Sequence, residues 1–268
     1  MNFNKIGVLT YMKLYLVGFL MLLLSACVTT TDSAFNRKAD EDRALDNYVQ
    51  LGLAYIQRNN FEKARLNIDR ALEIKSDSSK AYAALGLLYQ QEAEDELAEE
   101  SFKKALAFDE NNTRGRTFYA AFMYRSKRYE EALEQFQIAS KNTDYNGRAS
   151  IFVNIAQCAL KLERYDLAIK AYEKVLVLDR VHPQALIGVT QLLMQDGQYL
   201  KAQRYYNRIV NIIRSSSMTH SARSLSLGIE LANHFNNESQ LSSYVLLLKQ
   251  LYPDSREYQQ YRTLISNE

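Results

Sequence analysis

The stretch Leu45–Ser78 reads LDNYVQLGLAYIQRNNFEKARLNIDRALEIKSDS, and the chain then says nearly the same thing again. Its frame is Tyr48, Leu51, Gly52 and Tyr55, followed by Ala64, Ile68 and Ala71. A step of 34 residues lands on Tyr82, Leu85, Gly86, Tyr89, Ala98, Phe102 and Ala105. Each anchor meets an aromatic, aliphatic or small residue of the same kind. A fixed period of this length is the mark of a helix-turn-helix repeat. Tyr48, Leu51 and Tyr55 share one helical face, which predicts helix A over Leu45–Arg58, and the same spacing predicts helix B over Phe61–Lys75. Arg58-Asn59-Asn60 makes the turn. Gly52 and Ala64 are small so that the two helices can cross closely.

Further copies follow. The unit at 79–112 carries the dense acids Glu92, Glu94, Asp95, Glu96, Glu99 and Glu100, which lack the spacing and central glycine of a calcium loop. They surround the start of a helix B, where negative charge suits the macrodipole, and read as a solvated face. The unit at 113–146 departs most: Arg116 and Met123 stand where Tyr82 and Tyr89 stood, and Ala120 replaces the glycine. Its second half restores the frame with Tyr129, Ala132, Phe136 and Ala139. The loop from Lys141 to Gly147 absorbs two extra residues before the unit at 149–182. Cys158 lies inside that unit's helix A and reads as a small packed side chain. Pro183 opens the unit at 183–216 and suits a first helical turn. A degenerate sixth unit spans 219–252, ended by Pro253, and an amphipathic piece, Glu257–Ile265, is placed to cover the exposed end of the array.

Two prolines and nine glycines among 268 residues leave little material for β-turns. Residues 1–26 read as a cleaved signal: Lys5 and Lys13 precede an eleven-residue apolar run, Leu14–Leu24. The run is too short for a hydrocarbon core of about 30 Å. Either Met1 or Met12 serves as its start. Loss of the signal removes Lys5 and Lys13 and leaves 31 basic against 31 acidic residues. A nucleic-acid partner calls for a basic excess, so that class is not expected. The run ends in Leu24-Ser25-Ala26-Cys27, which resembles the bacterial lipobox. That resemblance implies diacylglycerol and an N-acyl chain on Cys27 and, with Val28 rather than aspartate next, sorting to the periplasmic face of the outer membrane of a diderm bacterium. More than one acyl chain anchors well beyond the marginal single chain. Residues 27–43 (CVTTTDSAFNRKADEDR) read as the lipidated N-terminus and a flexible tether, before a repeat domain over 44–265.

No phosphate loop, CxxC pair, HExxH or GxSxG occurs. His182, His220 and His234 are scattered. The expectation is a non-enzymatic binding protein with no metal, no non-covalent cofactor and no small-molecule substrate.

The units resemble tetratricopeptide repeats, about six of them, which implies an all-α fold, a right-handed α–α superhelix. In that family the helix A positions not used for packing line the concave surface. Carried over by register, these are Val49, Leu53 and Ile56; Ala83, Leu87 and Gln90; Thr117, Ala121 and Tyr124; Val153, Gln157 and Leu160; and Ile187, Gln191 and Met194. Val49, Leu53, Ile56, Leu87, Gln90 and Tyr124 are the chosen candidates for a protein-binding groove. The first three are the most apolar set and mark a partner site if they are exposed; the alternative is that the preceding segment or the curvature covers them.

Four segments carry a closer resemblance: Tyr48–Leu53 (YVQLGL), Lys127–Ala132 (KRYEEA), Ala222–Leu225 (ARSL) and Leu251–Tyr258 (LYPDSREY). With the lipobox they resemble the type IV pilus biogenesis lipoproteins, the PilF/PilW pilotins. Membership implies an outer-membrane lipoprotein that binds secretin subunits and promotes their localisation and multimerisation for pilus extrusion and twitching motility. The rival readings are a general periplasmic adaptor recruiting peptidoglycan hydrolases or proteases, and a subunit of the barrel-assembly machinery.

Overall fold

The computed structural model describes residues 34–216 and 219–266, and within them the secondary structure is α-helical throughout. The helices are α1 (Ala34–Gln57), α2 (Phe61–Ile74), α3 (Ser79–Gln91), α4 (Asp95–Phe108), α5 (Thr113–Arg125), α6 (Tyr129–Ala139) and α7 (Arg148–Lys161). They continue with α8 (Tyr165–Leu178), α9 (Pro183–Gln195), α10 (Tyr199–Ser215), α11 (Ala222–His234), α12 (Glu238–Leu251) and α13 (Arg256–Ser266). The signal peptide and Cys27 lie outside the described residues. The chain divides into two units, Met1–Ala44 and Leu45–Glu268. The second is a series of A/B helix pairs in which the second helix of each of the first five pairs packs on the first helix of the next, as in tetratricopeptide repeats.

One turn recurs through the series. Asn59, Ala93, Lys127, Glu163, Gly197 and Asn236 all have positive φ between paired helices. The next residue in each case sends its N–H back to a carbonyl five residues earlier: Asn60 to Tyr55, Glu94 to Tyr89, Arg128 to Met123, Arg164 to Ala159, Gln198 to Leu193 and Asn237 to Ala232, at 2.8–2.9 Å. This left-handed residue and long hydrogen bond are the Schellman closure, which satisfies carbonyls that a helix end leaves bare. Only Gly197 has the residue type that adopts this conformation freely.

Small residues set the spacing within helix pairs, as at Gly52, and between successive pairs, as at Gly188. A Cβ on Gly52 would come within 2.8 Å of Ile68, and one on Gly188 within 2.5 Å of Tyr172. The helix starts are capped: Asn60, Ser78, Asn112, Ser221 and Asn237 each accept a backbone N–H with the side chain. His182 caps α9 through Nδ1, ahead of Pro183 at the first helical position. At the far end Tyr258 and Tyr261 of α13 pack against Leu225, Ile229 and Leu248, so the last helix does cover the array's apolar end.

Three expectations need correction. The tether over residues 27–43 is not irregular from Ala34 on, because α1 begins there. Residues 38–43 are exposed and lack an apolar face, but a helix already nucleated by a packed segment extends cheaply through Ala, Lys, Arg and Glu. Asp40 and Arg43 add an exposed ion pair at 3.0 Å. The acids of the second repeat are not simply a solvated face. Glu92 pairs with Arg65 at 2.5 Å, Asp95 with Arg125 at 2.9 Å and Glu99 with Arg128 at 3.0 Å, each tying neighbouring repeats together. Leu51, placed in the packing frame, is exposed.

Candidate binding groove

The helix A faces of the first three repeats stand side by side because the period holds one register from α1 to α3 to α5. Asp46, Lys80 and Arg114 occupy one row at steps of 34; Val49, Ala83 and Thr117 occupy the next. These residues, Thr117 excepted, line a cleft of about 350 Å³, whose floor is Val49, Leu53, Ala83 and Phe118 and whose rim is Asp46, Gln50, Lys80, Asn112 and Arg114. Gly115 lets the third helix come close, since a Cβ there would lie 3.2 Å from that of Ala83.

The rim is partly fastened. Lys80 Nζ donates to Asp46 Oδ1 at 2.6 Å, one repeat away. Asn112 donates through Nδ2 to Ser79 Oγ at 2.8 Å while its Oδ1 receives the N–H of Gly115 at 2.9 Å. Ser79 in turn donates to the carbonyl of Ala105 at 2.6 Å. Arg114 is exposed, and among the described residues no carboxylate pairs with it. A free guanidinium over an apolar floor suits an extended segment that brings an acceptor or carboxylate to the rim and an apolar side chain to the floor.

The candidates chosen by register fare unequally. Val49 and Leu53 reach the cleft, but they are only 2% and 9% exposed, and Ile56 at 4% does not line it. Of the two readings, exposed or covered, these side chains of the first repeat take the second. These side chains pack with Ala81, Ala84 and Leu88 of the second repeat, and Phe118 reaches them from the third. Leu87 is half-buried between the first two cores. Gln90 keeps a buried Oε1 without a hydrogen-bond partner, and Tyr124 stands edge-on to Tyr129 at 5.2 Å. None of these three lines the cleft. Further along, Val153 and Met194 are buried, Thr117 donates to the carbonyl of Thr113, and Ala121 is exposed. Gln157, Leu160, Ile187 and Gln191 are half-buried.

Asp46, Gln50, Lys80, Asn112, Arg114 and Phe118 were not singled out from the sequence. The row Asp46–Lys80–Arg114 is legible in the sequence as one charged position per repeat, three residues before Val49 and its equivalents.

Elsewhere, polar groups serve the scaffold. Tyr119 donates to Glu99 Oε1 at 2.8 Å beside Arg128. Burial opposes ionisation of Glu99, yet bonds from Tyr119, Arg128 and Lys103 hold its carboxyl below the usual carboxylate range. Burial and the Glu99 anion push the Tyr119 hydroxyl up to about 12. His220 lies 3.0 Å from Ser224 Oγ, and burial lowers its pKa. Among the described residues no group of His, Cys, Asp or Glu is placed to hold a metal ion, and no helix is long and apolar enough to cross a membrane.

A tetratricopeptide-repeat family model matches residues 45–78, 79–112 and 149–182. Over 248 residues the chain is 39% identical to type IV pilus assembly protein PilF of Pseudomonas aeruginosa, covering 92% of this chain and 96% of that protein. A solved structure of Pseudomonas aeruginosa PilF superposes with a TM-score of 0.72, covering 84% of this chain and 99% of that one. PilW, a widely conserved type IV pilus biogenesis factor, superposes with a TM-score of 0.64 at 22% identity over 81% and 97% of the two chains, a likeness of fold.

Proposed function

The chain belongs to the PilF family of type IV pilus assembly proteins, and from that premise we propose that it is a non-enzymatic outer-membrane lipoprotein that binds secretin subunits and promotes their multimerisation for type IV pilus biogenesis. The observation that carries this reading is the identity to PilF along almost the whole of both chains. The cleft across the first three repeats supports it by offering an apolar floor with a free cation at its rim. In this scheme acyl chains on Cys27 hold the protein at the inner leaflet of the outer membrane. Confinement there raises the local concentration of a secretin segment, so a modest intrinsic affinity suffices.

Val49 and Leu53 are poor places to test the groove. An aspartate on either would be a buried, unpaired charge and would unfold the repeat rather than probe binding. Gln50 and Arg114 are exposed on the rim. The double variant Gln50→Glu/Arg114→Glu is expected to keep the wild-type thermal midpoint and to lose at least fivefold in secretin co-purification. Cys27→Ala is expected to deplete secretin multimers from the outer membrane. Unchanged co-purification removes the groove from the scheme, and normal multimer levels with Cys27→Ala remove the anchor.

A further inference from the structure

A second surface lies at the ends of the fourth and fifth repeats, lined by residues other than those of the cleft across the first three repeats. Val177 in the last turn of α8 is 73% exposed, and Val181 in the loop before α9 is 57% exposed. Two lone valines on a surface are ordinary; their surroundings are not. Val181 and Ile212 of α10 form the shared wall of two depressions. One is an apolar pocket of about 140 Å³ that runs in between Pro183, Ile187 and Ile213. The other is a shallower basin of about 580 Å³ that passes over Val177 to Arg180 and Arg208. The pocket is close to the roughly 150 Å³ of a cavity known to accept a benzene ring, so it has room for one large apolar side chain.

Two cations, Arg180 and Arg208, line the basin beside it. Arg208 donates through Nη2 to the backbone carbonyl of Arg180 at 2.7 Å, and its guanidinium lies over the ring of Tyr205 at 5.6 Å. These contacts hold the cation in place without neutralising it. Neither Arg180 nor Arg208 pairs with a carboxylate among the described residues. Two nearby carboxylates are oriented by other donors and pair with neither arginine: Asp179 accepts the N–H of Val181 at 3.1 Å, and Glu173 accepts the hydroxyl of Tyr205 at 3.0 Å. A positioned guanidinium beside an apolar recess calls for a carboxylate next to an apolar side chain.

We propose that this surface docks a short segment of a protein partner, one large aliphatic or aromatic side chain in the pocket and an adjacent Asp or Glu on Arg180 and Arg208. A recess sized for a single side chain favours a peptide over a lipid surface, which would meet a flat patch. The proposal stands independently of the groove in the first three repeats.

Full-length protein carrying a photo-crosslinking benzoylphenylalanine at position 177 tests it in the cell envelope. The expected adduct is with another protein, and its crosslinked peptide holds a large apolar residue within two positions of an Asp or Glu. Arg180→Glu/Arg208→Glu lowers adduct yield at least tenfold, and so does Val181→Ser, which leaves the charges in place. Gln50→Glu/Arg114→Glu leaves the yield unchanged whether or not it affects secretin. An adduct with a second copy of this chain or with lipid, no adduct at all, or a yield indifferent to both the charge reversal and Val181→Ser overturns the proposal.

Discussion

Gly86 lies beneath the ring of Phe102: a Cβ added there would sit 2.7 Å from Cδ1 and 2.8 Å from Cε1. Phe102 is fully buried and has no free side to move towards, since Tyr119 and Phe122 stand 5.6 and 5.7 Å away, centroid to centroid. Alanine would gain about 1 kcal/mol of helix propensity over glycine. Overpacking a filled core costs about 1–3 kcal/mol. Gly86→Ala is therefore expected to be net destabilising, read as a lower urea midpoint at unchanged m-value. A midpoint equal to or above wild type would mean the helices separate more easily than this packing implies.

The recurrent left-handed turn allows a cleaner test of backbone strain. Gly197 has φ of +73° and open space around its missing Cβ, so Gly197→Ala changes only the backbone preference. A loss of about 1 kcal/mol is expected. Glu163 and Ala93 occupy the same conformation at φ of 58° and 63°. Glu163→Gly and Ala93→Gly should each raise stability by about 0.5 kcal/mol, the relief of strain less the entropy of a freer unfolded chain. Thermal melts of the three variants decide the matter.

Acid should weaken the joint between the second and third repeats. Because the carboxyl of Glu99 is held below its ordinary value in the fold, the unfolded chain takes up that proton first as pH falls. Its contribution is fully present above about pH 4.3 and is lost as pH drops through the lower native value. Glu99→Gln should cost about 1–2 kcal/mol near neutrality, the scale of hydrogen bonds to a charged group. It should also flatten the fall in stability below pH 5, measured by urea titrations across that range. An acid limb as steep as wild type would assign the pH dependence to other carboxylates.

The same joint sets an alkaline limit. Tyr119 ionises at about 12 in the fold against about 10 in the unfolded chain. Its contribution is intact below pH 10 and declines as pH rises towards 12. Tyr119→Phe should remove that part of the alkaline loss.

Cys158 is fully buried, and burial pushes its thiol up to about 12. In a Cys27→Ala background a thiol reagent should label it only as fast as the fold opens, with full labelling in denaturant. Rapid labelling of the native protein would mean that the fourth repeat opens locally.

Much of this fold could be read without coordinates because its signals are local. Gly52 opposite Ile68 and Pro183 at the start of α9 act within one helix pair, and the same turn recurs from Asn59 to Gly197 at steps of 34 residues, lengthened to 36 between Lys127 and Glu163. The start of α1 is not legible in the sequence because Ala34–Asp42 has no apolar stripe; propagation from a packed neighbour needs none.

The sequence by itself determined the repeat, its period, its turns and the resemblance to pilotins, since each depends on residues close in the chain or on direct likeness. Only the tertiary structure decided the depth of the groove. Val49, Leu53 and Ile56 hold the register of a concave surface, but α3 and the ring of Phe118 from α5 cover most of what they expose. Whether such a face meets water depends on how successive repeats rotate and how far their side chains reach. That outcome is summed over residues 34 and 68 positions away, and no periodicity within one repeat records it.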